Sequence, residues 1–488
     1  MVAVLLVNFV HLPMSDALRF RLGLNQVNRL LSIFGLALLT GCVGYQSKPI
    51  SPAQAAVQFD ARRLDDAGLK NFLEKNLGHE LNDWPRVSWD LDSFTLAAFY
   101  FQPDLEVARA QWRVAQAGIK TAGARPNPTV TVGPGYNFSA LAGVNPWMPF
   151  GSFDLPIETA GKRGKRLAQA RHQAASARQN FIAAAWQVRG KVRANLLELT
   201  VAEGRETEVE KQFSAQREIV QRLEQRLAVG EISREELTPA RVALSKAQLD
   251  LSDAQTKLAV ARAQLAGLLG LSAEALRGVR FDFDLGARPA EDLTSDDARR
   301  VALCGRADVL GALADYAADE ADLRLEIAKQ FPDLHLNPGY QFDQGDHKWT
   351  LGFTFELPVF NQNRGPIREA GARRELAAAK FTALQAQVIG AIERAVAELR
   401  AARNQRQTSE ELFADAQKQW QSANERFKAG ASDRVDVLST QLEFSSAALA
   451  RLDTLARLQT AVAALEDALQ RPTDSVAAAI AALNSRKP

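Results

Sequence analysis

A mainly α-helical chain with four β-strands, laid out as a tandem duplication with two long coiled α-hairpins, is the fold class that the sequence predicts. Three observations predict it: motifs that recur about 200 residues apart, four stretches of alternating apolar residues, and two proline-free runs of about 65 residues. The 488-residue chain is only 7% aromatic and rich in Ala, Leu, Gln, Glu and Arg, which favours long packed helices over several compact cores. Its formal net charge is +2, with both signs mixed along the helical runs. A nucleic-acid footprint needs a basic face, so no nucleic-acid partner is expected.

At the N-terminus, Arg19, Arg21 and Arg29 precede the apolar run from Leu30 to Leu39, the order of an export signal. The run is shorter than the about 20 apolar residues of a permanent span, so residues 1–41 are read as a removed signal peptide. Leu39-Thr40-Gly41-Cys42 resembles the lipobox of bacterial lipoproteins, which implies acylation of Cys42 as the mature N-terminus. The alternative is a small residue after a signal. Met14 lies closer to the basic cluster than Met1 and is a second candidate start. Cys304 is the only other cysteine, so an acylated Cys42 leaves no disulfide within the chain. No stretch after Cys42 has the length and apolarity of a transmembrane helix, so any crossing must be made by strands.

The duplication is read from Pro128 and Tyr136 recurring as Pro332 and Tyr340, Phe153-Asp-Leu-Pro156 as Phe355-Glu-Leu-Pro358, and Leu227-Ala-Val-Gly230 as Phe427-Lys-Ala-Gly430. Each unit reads helix, strand, strand, long helix, turn, helix. The expected divisions are an N-terminal segment 42–95, a first repeat 96–275, a linker 276–306, a second repeat 307–471 and a tail 472–488.

Trp349, Leu351, Phe353, Phe355 and Leu357 alternate with polar or small residues, the period of a strand. Leu334, Leu336, Tyr340 and Phe342 do the same, and Asp343-Gln-Gly-Asp346 between them is a hairpin turn. The first unit repeats this with Thr129 to Phe138 and Phe150 to Glu158. A soluble sandwich would also alternate. However, the apolar faces are aromatic-rich and about nine residues long, enough to cross a bilayer when tilted. Four strands cannot close a barrel or protect their own edges, so other copies must complete them.

The run from Gly164 to Val229 would make a helix of about 100 Å. Leu167, Ala170, Ala174, Ala177, Phe181, Val188, Val192, Leu196 and Leu199, then Val209, Phe213, Val220, Leu223 and Leu227, give it a coiled-coil-like seam. The second unit matches from about Ile367 to Lys428. Gly230 and Gly430 end the two runs as helix-stopping glycines at the tips, and return helices begin near Glu235 and Val435.

Together, the duplication, the paired Phe-x-Leu-Pro strands and the glycine-ended tips resemble the TolC family of outer-membrane efflux proteins, over nearly everything from Asp104 to Arg471. The resemblance implies a TolC-like fold: a homotrimer with a twelve-stranded membrane β-barrel, four strands per protomer, above a periplasmic helical tunnel. It also implies a passive duct in the outer membrane, served by a periplasmic adaptor and an inner-membrane pump, with outer-membrane lipid around the barrel. Pro156-Ile-Glu-Thr-Ala-Gly-Lys-Arg-Gly-Lys-Arg166 is similar to a segment of the cobalt, zinc and cadmium resistance (CzcC-like) channels. That points to metal-ion efflux with an RND-type pump ahead of drug efflux or type I secretion. In the family, acidic residues just beyond the tip glycine line a constriction, which places Glu236 and Asp436 at a periplasmic gate. Both residues also suit a helix N-terminus through the macrodipole alone.

No enzyme motif is present. Gly161-Lys-Arg-Gly-Lys165 lacks the spacing and the Ser or Thr of a phosphate loop, and Gly-x-Ser-x-Gly and His-Glu-x-x-His are missing. The histidines, at positions 11, 79, 172, 335 and 347, have no paired spacing for zinc. No cofactor is expected beyond the lipid on Cys42. A periplasmic adaptor carries one helical hairpin between β-rich modules, whereas this chain carries two hairpins and lacks those modules. A soluble coiled-coil scaffold is the other alternative.

Overall fold

The computed structural model describes residues 44–286 and 296–471. Cys42, the signal region 1–41 and the tail 472–488 lie outside the described residues. The chain divides into two compact units, split after Gln58. In the first, residues 44–51 without regular secondary structure lead into helix α1 (Pro52–Asp60), whose last two residues fall past the split and where the Gln54 N–H donates to Ser51 Oγ.

The second unit opens with α2 (Ala67–Leu77), β1 (Ser88–Asp90) and α3 (Leu91–Phe101). Asp66 and Asp90 cap the two helices by accepting from the Leu69 and Ser93 N–H groups, which satisfies otherwise orphaned donors. Helix α4 (Pro103–Ala122) begins on a proline that needs no such partner. Next come β2 (Thr129–Gly133), β3 (Phe150–Ile157), the 67-residue α5 (Lys162–Ala228) and its return helix α6 (Arg234–Leu269).

The expected linker contains structure: β4 (Arg280–Asp282) and α7 (Asp296–Gly305). The second repeat follows with α8 (Ala307–Ala328), β5 (Leu334–Asp343), β6 (Asp346–Phe355), the 65-residue α9 (Arg364–Lys428) and α10 (Arg434–Leu469).

Strands β1 and β4 pair in parallel, with Trp89 opposite Phe281. Trp89 and Phe94 are fully buried, and Phe94 stacks on Phe281. They belong to the main core, which also takes in Leu105, Trp112, Phe181, Val192, Leu196 and Leu265. The stretch from Leu64 to Phe99 is thereby sewn onto the middle of α5 and the end of α6. A second core joins Val309, Val388, Ile392, Leu399, Leu458 and Leu465 of the second repeat. The expected seam of α5 is buried at Ala170, Ala174, Phe181, Val188, Val192, Leu196, Leu199, Val209 and Val220. The small residues on it permit close helix approach.

The other four strands form one antiparallel sheet in the order β2-β3-β5-β6. The first hairpin is less regular than its alternation predicts. Strand β2 stops at Gly133, before Pro134. The pairing resumes in the same register beyond it, where Gly135 and Met148 exchange hydrogen bonds and Tyr136 bridges Trp147.

Candidate functional site

Two regions can act: the faces of the sheet and the tips of the hairpins. The sheet register sorts side chains by face, because alternate residues point to opposite sides. Leu334 pairs with Phe355, Leu336 with Phe353, Pro338 with Leu351 and Tyr340 with Trp349. On the same face, Leu336 meets Leu155 and Leu334 meets Ile157, while Val130 pairs with Phe153. This face is apolar and largely exposed at Val130, Val132, Leu351, Phe353 and Phe355, a distribution that suits a hydrocarbon surround rather than water.

The opposite face holds Thr129, Thr131, Ser152, Asp154, His335, Asn337, Gln341, Lys348, Thr350 and Thr354. His335 Nδ1 lies 3.0 Å from Asp154 Oδ1, and Asn337 donates to Thr354 Oγ1 at 2.8 Å. Among the described residues no helix is long and apolar enough to cross a membrane.

Where β3 gives way to α5, the buried Lys162 ammonium binds Asp333 Oδ1 at 2.7 Å, and the Thr159 hydroxyl donates to the Pro332 carbonyl at 2.6 Å. The basic Gly161-to-Arg166 turn is therefore a joint between repeats as well as a cationic surface. Arg166 reaches Glu158 and the carbonyl of Ala122.

The two tips share one geometry. Gly230 and Gly430 have φ of 82° and 71°, the left-handed conformation that glycine adopts without penalty. At the first tip the Gly230 N–H bonds the Leu227 carbonyl and the Glu231 N–H bonds the Arg226 carbonyl. At the second, Gly430 bonds Phe427 and Ala431 bonds Arg426. Each is a Schellman close of the long helix. Ser233 and Asp433 then cap the return helices.

Glu236 and Asp436 occupy the third position of α6 and α10, and both are exposed. Asp436 accepts from the Asp433 N–H at 3.4 Å and completes a capping box, whereas Glu236 accepts from the hydroxyl of its N-cap residue, Ser233 Oγ, at 3.2 Å.

The tip residues that sequence reading missed are the ones that tie the hairpins together. Arg434, at the start of α10, makes two 2.9 Å bonds to Glu218 of α5, and Arg226 of α5 pairs with Asp433. The Arg434 bonds hold the Glu218 carboxyl below its ordinary range, against a smaller upward push from burial, and raise Arg434 in turn. At Asp433 burial pushes upward, but the bonds from Arg226 and the Val435 N–H leave the carboxyl below its usual value. Ala215 and Ile219 of α5 pack on Leu438 of α10 beside these pairs. Among the described residues no group of three or more His, Cys, Asp or Glu side chains is placed to hold a metal ion.

The sequence matches the family described as outer membrane efflux protein over residues 101–271 and 298–470. Among curated proteins, none matches at a significant level. Solved structures resemble most of the chain. The outer-membrane channel OprN is 19% identical, covers 88% of this chain and 99% of its own, and has a TM-score of 0.66. The outer membrane protein VceC from Vibrio cholerae is 20% identical over 78% of this chain and 95% of its own, with a TM-score of 0.63. CusC is 16% identical over 88% and 99%, with a TM-score of 0.60. These likenesses establish the fold, and the matched segments span both repeats. The chain belongs to the outer membrane efflux protein family, a non-enzymatic family of efflux channels.

Proposed function

We propose that this chain is the protomer of a homotrimeric duct, through which an inner-membrane pump and a periplasmic adaptor expel solutes across the outer membrane. The observation that carries this reading is the four-stranded sheet, with one apolar exposed face and two open edges, joined to two long helical hairpins. Three such sheets supply the twelve antiparallel strands of a closed barrel. Energy comes from the pump, proposed to be of the RND type, and the chain itself is passive. Cys42 carries the lipid that anchors the mature N-terminus in the outer membrane.

Metal cations are the proposed cargo, supported by the Pro156-to-Arg166 segment and its likeness to heavy-metal channels. Glu236 and Asp436 are proposed as the periplasmic gate. Each is an exposed carboxylate beside a hairpin tip, and rings of carboxylates favour cations. Their capping role is compatible with this, since the N3 side chain remains exposed.

Purified protein in planar bilayers tests the duct and the gate together. Cation-selective conductance is expected, reduced in selectivity by Glu236→Gln with Asp436→Asn; unchanged selectivity would remove the gate. Growth of a deletion strain on zinc, cobalt, cadmium, copper and silver salts, compared with common drugs, tests the cargo. Sensitivity to drugs alone would replace metal efflux with drug efflux.

A further inference from the structure

The internal repeat specifies more than the presence of two hairpins. Strand β2 corresponds to β5, through Pro128 and Tyr136 against Pro332 and Tyr340, and β3 corresponds to β6, through Phe153 against Phe355. The pair β3·β5, which joins the two hairpins inside the protomer, is therefore the internal counterpart of a pair the protomer cannot make alone: β6 against another β2. Both of those strands are sheet edges.

Resting on the trimer reading above, we propose that β6 of one protomer extends through Val359 and pairs antiparallel with β2 of the next, placing Leu357 opposite Val132 and Val359 opposite Val130. The register is the β3·β5 register carried across the repeat, in which Leu155 faces Leu336 and Ile157 faces Leu334.

Three observations support it. First, Leu155, Pro156 and Ile157 are the last residues of β3 and have partners on β5, whereas Leu357, Pro358 and Val359 follow β6 without a strand partner, and the Val359 N–H turns back onto the Leu357 carbonyl at 2.8 Å, a bond that pairing with β2 would replace. Leu357 and Val359 are each 68% exposed, and Val132 is 76% exposed. Second, the faces agree, although nothing in the transfer requires it. Val130 and Val132 lie on the apolar face, and Leu357 and Val359 continue the apolar alternation of Phe353 and Phe355. A shift of one residue would set Leu357 against the polar-face Thr131. Third, the strand directions suit. Three antiparallel steps separate β2 from β6, so β6 runs antiparallel to the β2 of a neighbour placed by rotation. Pro358 is no obstacle, because its counterpart Pro156 sits within the ladder opposite His335.

Paired cysteines read this register directly, in a Cys304→Ser background that leaves Cys42 in place. Residues on β2 and β6 of one protomer are three strand spacings apart, about 14 Å, too far for a disulfide within it. Mild oxidation of Val130→Cys with Val359→Cys, and of Val132→Cys with Leu357→Cys, should give covalent dimers and trimers on denaturing, non-reducing gels. The displaced combination Val130→Cys with Leu357→Cys should give about fivefold less or lower. The polar-face pair Thr131→Cys with Pro358→Cys belongs to the other hydrogen-bonding class of the ladder, so one of the two classes presents favourable geometry.

Stronger cross-linking of the displaced pair would overturn the register, and absence of any cross-link in protein whose native mass is trimeric would overturn the edge pairing. Both results leave the trimer itself standing. A monomeric native mass for the unsubstituted protein in mild detergent would instead remove the reading on which the proposal rests.

Discussion

Glu466, fully buried near the end of α10, accepts a hydrogen bond from Arg189 of α5 at 3.1 Å, and Arg193 donates to the same carboxylate oxygen. Two guanidinium groups and one carboxylate thus fasten the last helix of the second repeat to the long helix of the first. Removing one member of a buried ionic cluster leaves charge in a medium that solvates it poorly. Glu466→Ala should therefore destabilise the fold by about 3–5 kcal/mol. Thermal unfolding of the purified protein measures this, and a loss under about 1 kcal/mol would show that the cluster is not a fastening.

At the tips, Glu218 is held below its ordinary value of 4.5, first by the hydrogen bonds from Arg434. A carboxyl with a depressed folded pKa contributes stability above its unfolded value and loses it as pH falls through the folded one. The Glu218–Arg434 tie should therefore be constant at all pH values above the ordinary carboxyl value of 4.5 and weaken only as pH falls below it. If it restrains the tips, single-channel conductance will be flat over the first range and rise in the second. Glu218→Gln should show the higher conductance already at neutral pH, and an identical trace from that variant would exclude the tie as a restraint.

Gly230 and Gly270 both have positive φ, yet they face different surroundings. A side-chain carbon on Gly230 would meet open space, whereas on Gly270 it would lie 2.9 Å from the Phe101 carbonyl oxygen. Gly230→Ala should cost only the backbone penalty of about 1–2 kcal/mol. Gly270→Ala should cost more, because the peptide at Phe101 must move. Equal melting temperatures for the two variants would contradict the contact.

Cys42 is the remaining chemical expectation. Metabolic labelling with radioactive palmitate should mark the protein, and Cys42→Ser should abolish the label. If the label persists in that variant, the acylation site lies elsewhere.

Much of the fold was legible in the sequence because it is built from long, strictly periodic elements. The strands around Leu334 to Phe355 and the seam from Ala170 to Val220 each repeat one spacing often enough to name the element, and Gly230 and Gly430 mark the tips. The β1·β4 clasp was not legible. Each strand has three residues, too few for a period, and Trp89 meets Phe281 only after the whole first repeat has intervened.

The tip ties were hidden for a related reason. Arg226 and Asp433 are 207 positions apart, and Arg434 and Glu218 are 216 apart, in stretches where charged residues are everywhere. The short β2 had a signal that went unused, since Pro134 stands inside the alternating run. At Glu236 and Asp436 the same atoms suit a cap and a cation-attracting ring, so spacing alone cannot separate the two roles.

The unbroken 67 residues of α5 have a mechanical consequence. Treated as a rod of about 100 Å pivoting at its sheet end, the helix converts a tilt of about ten degrees into about 17 Å of travel at its far end. The ion pairs beside Gly230 and Gly430 act at the end of that long lever, where a small force opposes a large torque. How wide the far end stands is therefore set more finely at the tips than at the sheet from which the rods hang.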